Sequence, residues 1–162
     1  TLLEVSREVQ AEGWTFNKEY HYLMTRDTNK HILIPSNMLQ VDATRNAANV
    51  ELDTVRRQGK LYDRAHHTYV FAQDIECDIT WLFDWVDLPK PIQDYITSRA
   101  ASITSSRIIG DTRQYEMLQQ KEAYTRAMAM EYECNQGDYT FFGHGGDTNS
   151  YISYQPYKAL TR

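Results

Sequence analysis

The sequence predicts an α+β fold: a helical bundle, made of an N-terminal helix and a C-terminal helical hairpin, packed with an antiparallel β-sheet and followed by an extended C-terminal arm. Three observations predict it. Leu2, Val5 and Val9 recur at helical spacing at the start of the chain. Cys77, Ile79, Trp81, Phe83 and Trp85 alternate with the largely polar Asp78, Thr80, Leu82 and Asp84, as a half-buried antiparallel strand packed on helices requires. Between Leu88 and Gly137 two successive helices each carry a start and a stop signal. The expected layout is one domain over 1–137 (helix 1–12, sheet region 14–87, hairpin 88–137) and an arm over 138–162.

In order along the chain, Gly13 closes the first helix as a C′ residue. Trp14-Thr15-Phe16-Asn17 then reads as strand-like alternation, and Tyr20 to Met24 as a strand. Arg26 to Lys30 is turn chemistry; His31 to Ile34 is an apolar run that Pro35 confines to an edge or a strand end. Met38 to Val41 reads as a strand and Asp42 to Asn49 as a polar loop with room for a helical turn over 43–50. A hairpin is expected over Val50 to Asp63, with Gly59 supplying a positive φ. Arg64 to His67 reads as a turn and Tyr69 to Phe71 as a short strand, giving about five strands before the hairpin helices.

Pro91 suits the first turn of the next helix, because its φ is already fixed and its missing N–H costs nothing there. Ile92, Tyr95, Ile96, Arg99 and Ile103 follow on one face, and Gly110 ends the helix. Asp111 and Gln114 have capping-box spacing. From Thr112 to Asn135 the second helix spans about 35 Å. Its apolar residues lie on two faces, Tyr115 with Leu118 and Met117 with Tyr124 and Met128, which predicts one packing partner inside the chain and one outside it.

The bulk properties exclude several classes. With 162 residues the chain can bury a core without staples, and its two cysteines, Cys77 and Cys134, have no disulfide or zinc spacing. No membrane-spanning run or signal peptide occurs, so a soluble intracellular product without membrane insertion is expected. A net charge of -5 is unsuited to sequence-independent DNA binding. Thr1 already lies in a helical pattern, which predicts further residues upstream. Twelve tyrosines and three tryptophans fit packed interfaces, or simply an aromatic core.

Candidate chemistry is sparse. His66, His67, Cys77 and His144 match no metal-ligand spacing. Glu131 with Glu133, or Asp78 with Asp84, are the carboxylate pairs a glycan-degrading hydrolase could use. The first pair diverges by about 200° on a helix, and the second occupies ordinary solubility positions. No nucleophile elbow, P-loop or zinc-protease helix is found, so no catalytic residue, metal or cofactor is assigned. On the hairpin, Arg99, Arg107, Arg113, Lys121 and Arg126 alternate with Asp94, Asp111, Glu116, Glu122, Glu131 and Glu133, with Glu122 and Arg126 spaced to pair. Edges of opposite sign are what a head-to-tail ring needs.

Several stretches together resemble the tail tubular protein A family, the head-to-tail adaptors of short-tailed bacteriophages. They are Gly13 to Asn17, Leu61-Tyr62-Asp63-Arg64, Leu88-Pro89, Tyr95 to Ala100, Arg107 to Gly110, Met130 to Glu133, and the terminal Leu160-Thr161-Arg162. The resemblance covers nearly the whole chain and rests on their order and spacing rather than on any one motif. It implies a virion protein assembled in the host bacterial cytoplasm. It further implies a homododecameric ring between the portal protein and the tail nozzle (tail tubular protein B), with a tail fibre attached nearby and DNA passing through the lumen. The family also has an N-terminal helical segment upstream of Thr1.

On that reading the hairpin and first helix form the wall between subunits, and the sheet meets the nozzle or fibres. The interface candidates are Tyr95, Arg99, Arg107, Arg113, Glu116, Tyr124 and Met128. The arm, with Tyr139, Phe141, Phe142, Tyr151, Tyr154 and Tyr157, is expected to dock on a neighbour or the portal.

Overall fold

A computed structural model describes residues 1–46, 52–108, 110–137, 139–140 and 143–144. It has three helices and antiparallel sheets, the α+β class expected. Helix α1 (Leu2–Ala11) is followed by strands β1 (Lys18–Met24), β2 (Met38–Asn46), β3 (Thr54–Arg57), β4 (Lys60–Asp63) and β5 (Ile75–Trp81). Helices α2 (Lys90–Ile108) and α3 (Thr112–Gly137) and a small pair, β6 (Tyr139–Thr140) and β7 (Gly143–His144), complete the order.

The strands of the sheet region form two units rather than one sheet. β5 lies between β1 and β2, antiparallel to both, and β3 pairs with β4 alone. A two-residue turn joins β3 to β4, with Gln58 at φ 52 and Gly59 at φ 70, which matches the right-handed twist of the flanking strands. As the alternation requires, Ile75, Cys77 and Ile79 of β5 point to one side and are buried. Helices do not cover them. Met24, Ile32, Ile34, Met38, Leu61 and Phe71, from the neighbouring strands and loops, close over that face.

Three local readings change with the structure. Asp42 to Asn46 continues β2 instead of looping out, because backbone pairing to the central strand runs on as far as Asn46↔Ile75. Tyr69 to Phe71 is not a strand: Thr68 makes a single bridge to Asp63, and the N–H of Phe71 donates to the Lys30 carbonyl at 3.0 Å so that its ring plugs the core. The alternation of β5 stops at Trp81. Leu82 donates its N–H to Asn37 at 2.7 Å, Phe83 turns to the helices, and Trp85 enters a single 3₁₀ turn, Trp85–Asp87.

The helices make a second core from Val5 and Val9 of α1, Trp14, Leu88, Ile92, Tyr95, Ile96 and Ala100, and Ala129 of α3. Each buried isoleucine there contributes roughly 1.5–3 kcal/mol by leaving water. Ser98, Ser102 and Ser105 are buried at four- and three-residue steps along α2. Their small side chains let α3 approach, and Ser98 Oγ meets Thr125 Oγ1 across the seam. Gly13 and Gly110 both take positive φ as helix stops. Asp111 caps α3 through the N–H of Arg113 (3.0 Å), not Gln114.

A polar clamp joins the two cores. Trp14 to Asn17 is a turn, not a strand: Asn17 Oδ1 accepts the Trp14 N–H at 2.7 Å, and Asn17 Nδ2 donates to the carbonyls of Gln10 and Trp81, both at 2.9 Å. Fully buried Gln10 accepts the Phe83 N–H at 2.8 Å and donates to the Phe83 carbonyl at 3.2 Å. Glu133 of α3 takes the Thr15 N–H on both oxygens, at 2.9 and 3.0 Å, and the Thr15 hydroxyl at 2.6 Å. One end of α1 and one end of α3 are thereby tied to one end of β5.

Candidate functional site

Helix α3 has 26 residues, yet only Ala129 and Gly137 are fully buried. Tyr115, Leu118, Glu122, Thr125 and Tyr132 are half-buried with Ala129 between them, a three-four spacing that turns one stripe toward α2. The second apolar face stands in solvent. Met117 and Tyr124 are each 66% exposed and Met128 43%. Their spacing of seven and four residues sets them in one row about 16 Å long. Arg113, Glu116 and Lys121 lie near it, also exposed. This row is the candidate assembly surface.

The interface candidates divide accordingly. Arg107, Arg113, Glu116, Tyr124 and Met128 are on the surface. Tyr95 and Arg99 are not: Tyr95 is fully buried between Ile92 and Ile96, and its hydroxyl accepts from Arg99 at 3.0 Å and Arg126 at 3.3 Å. Arg99 also pairs with Glu8 of α1 at 2.9 Å. Burial pulls the Arg99 guanidinium down, but the Tyr95 hydroxyl and the charges of Glu8 and Glu122 outweigh it and hold the pKa above the ordinary value. These two side chains lock α1, α2 and α3 together inside one chain. Arg126 likewise reaches Glu12 at 3.7 Å and Tyr95 rather than pairing with Glu122. The position of Tyr95 between two isoleucines on the apolar face was the signal for its burial.

The arm opens as a backbone hairpin, Tyr139↔His144 and Thr140↔Gly143. Of its docking candidates, Tyr139 is placed by its backbone in β6, and Phe141, Phe142, Tyr151, Tyr154 and Tyr157 lie outside the described residues. The clamp role of Gln10, Asn17 and Glu133 is not legible in the sequence, since nothing in their spacing marks a polar side chain that serves backbone groups far away in sequence.

Elsewhere the geometry is structural. Cys77 is sealed in the sheet core, its thiol pushed up to about 12 by burial and by the nearby Asp78 and Asp42 carboxylates, whereas the His66 side chain is 76% exposed. The two cannot share an ion. His66 Nδ1 instead lies 2.7 Å from Asp63 Oδ2, while Asp63 Oδ1 accepts the N–H groups of Ala65 and His66 and so shapes the turn. Glu133 spends its oxygens on Thr15 and Glu131 faces solvent, so they do not converge. Asp78 accepts the His21 N–H across the β1 bulge at 3.1 Å, and Asp84 lies beyond the end of β5. Among the described residues, no helix is long and apolar enough to cross a membrane.

A long helix with a wet apolar row fits an assembling protein, and comparison of the sequence with protein families decides which kind. The pattern of the family described as Tail tubular protein matches residues 1–139, from α1 to the first residue of β6. The chain belongs to the tail tubular protein family. It is a structural protein of a bacteriophage tail, located in the virion tail and assembling with other phage tail or portal components. The family match ends where the arm begins, so it covers both cores, the clamp and the exposed row of α3, but not the arm's aromatic residues beyond Tyr139. A search of curated proteins finds no match to the chain.

Proposed function

We propose that this tail tubular protein is the head-to-tail adaptor, forming a ring between portal and nozzle through which the genome passes on ejection. The observation that carries the proposal is the uncovered Met117–Tyr124–Met128 row on a helix whose opposite face is already used within the chain. Apolar rows of this kind on a folded chain mark surfaces that a partner covers. Arg107, Arg113 and Glu116 supply charge around it, and the two-core build gives the protein one region for neighbouring copies and portal and another, the sheet, for nozzle and tail fibre. Twelve copies are proposed from the family resemblance, with the arm docking on a neighbour or the portal.

Net charge supports passage rather than capture. At -5 per chain, a ring carries a surplus of negative charge, and phosphates are repelled from its wall. A basic wall would bind the duplex by releasing counterions and slow it. The adaptor role needs no catalytic step. Electron microscopy of the protein mixed with its portal and nozzle tests the proposal: rings bridging the two are expected, and the absence of ring-shaped particles under every mixing condition refutes it.

A further inference from the structure

We infer that the Met117–Tyr124–Met128 row of one copy seats in the groove between α1 and the Leu82–Trp85 segment of the next copy, so that a single chain carries both halves of a head-to-tail contact. The inference rests on the adaptor reading and assigns its subunit interface. The groove has a volume of about 440 Å³ and is lined by Leu2, Leu3, Ser6, Phe83, Asp84 and Trp85, among others. Leu3 at its wall is 85% exposed, and Val86, next to Trp85 in sequence, 83%. The exposed apolar side chains thus include two unlike groups, a convex row on α3 and the wall of a concave groove beside α1. Unlike surfaces that fit each other generate rings, whereas a surface paired with itself closes at two copies.

The charges at the two places are complementary in number. Arg113, Lys121 and Glu116 flank the row, while Arg7 and Asp84 lie in the groove and Asp87 in the 3₁₀ turn beside it. None of these six side chains has an ion pair among the described residues, although five lysine or arginine ion pairs are formed elsewhere. Bringing row and groove together supplies each cation with a carboxylate and excludes water from Met117, Tyr124 and Leu3 at the same time. Tyr124, near the centre of the row, is the anchor: a large, stiff side chain with an apolar body and a polar tip is the type that dominates interface energetics.

The test uses the full chain with its portal, in a Cys134→Ser background that removes the exposed free thiol. A short bis-maleimide is applied to the variant carrying both Leu3→Cys and Tyr124→Cys, and to each single variant. The double variant is expected to give a ladder of dimers, trimers and higher species, and the singles no ladder. Covalent dimers from Tyr124→Cys alone would mean that the row pairs with itself, which overturns the inference. In parallel, Lys121→Glu or Asp84→Lys alone is expected to raise the concentration needed for assembly about five- to tenfold, and the two together to restore it. If the wild-type protein assembles but neither ladder nor charge rescue appears, the docking assignment fails and the adaptor reading stands. If the wild-type protein does not assemble with portal at all, both fall.

Discussion

Replacing Asn17 by alanine tests whether the clamp holds the two cores in one cooperative unit. The side chain is 1% exposed and serves three backbone groups: the Trp14 N–H, the carbonyl of Trp81, and the carbonyl of Gln10, which also accepts the Gly13 N–H at 3.1 Å. Leaving a buried backbone group without its partner costs roughly 1–3 kcal/mol, so for the Trp14 N–H and the Trp81 carbonyl the gross loss is about 2–6 kcal/mol. Water entering the space left by the amide recovers part of it, and a net loss of about 3 kcal/mol is expected. For a chain of this size that lowers the melting temperature by roughly 6–12 °C. The assay is thermal and urea unfolding followed by far-ultraviolet circular dichroism and tryptophan fluorescence, since Trp14 and Trp81 flank the clamp. Wild-type protein should lose both signals together, and Asn17→Ala should separate them as well as destabilise. A variant that melts within about 2 °C of wild type with coincident signals would refute the reasoning.

Other changes have outcomes of known direction. Glu133→Ala removes the acceptor of the Thr15 N–H and hydroxyl, and is expected to cost about 2 kcal/mol, with Glu133→Gln losing less because one oxygen remains; urea midpoints measure both. Tyr95→Phe leaves Arg99 and Arg126 without their shared acceptor and is expected to cost about 1–2 kcal/mol in the same assay. Native protein should react with a thiol reagent at one cysteine, Cys134, and at a second only in denaturant, because the buried Cys77 thiol, with its pKa near 12, offers almost no thiolate at neutral pH. Burial pushes the Asp63 carboxyl up, but the His66 ring and the N–H groups of His66 and Ala65 outweigh it and hold its pKa below the ordinary value of 3.8. The stabilisation this gives is complete above the unfolded carboxylate range and is lost as pH falls through the folded pKa. The urea midpoint should therefore drop more steeply in wild type than in Asp63→Asn between about pH 5 and pH 2.

What the sequence made legible was what local chemistry decides. Gly13, Gly59 and Gly110 sit at positive φ because turns and helix stops demand it, and the core face of β5 follows from alternation alone. The readings that failed are those where one pattern serves two structures. Trp14 to Asn17 alternates like a strand, but a buried asparagine bonding to a backbone N–H three residues back makes the same letters a turn. Asp42 to Asn46 has the composition of a loop, yet tertiary pairing with a central strand overrides composition. The surplus face of α3 was visible as a second row of apolar residues, whereas the inward direction of Arg99 was not, since an arginine on an apolar face snorkels outward unless a buried hydroxyl and a carboxylate wait for it.

The division into two cores joined by directional hydrogen bonds has a consequence for assembly. An apolar seam holds two layers together but tolerates sliding, because dispersion and the hydrophobic effect have little angular preference. The bonds from Asn17, Gln10 and Glu133 do have one: each fixes a donor and an acceptor on different elements to within a few tenths of an ångström and a limited cone of angles. In a ring built from unlike surfaces, an error in the angle between the α3 row and the α1 groove repeats at every subunit, and the ring fails to close once the sum is too large. Helices α1 and α3 carry the two surfaces and are both tied, through Gln10 and through Glu133 and the Trp14–Asn17 turn, to the same end of β5. On the proposed adaptor reading, Gln10→Leu should therefore lower the yield of closed rings more than it lowers the melting temperature of the subunit. It removes the groups that bond Phe83 but leaves a side chain of similar size to fill the space. Particle counts by electron microscopy, compared with thermal melts of the unassembled protein, measure the two effects separately. Equal loss in both would show that the clamp serves stability alone and does not set the angle.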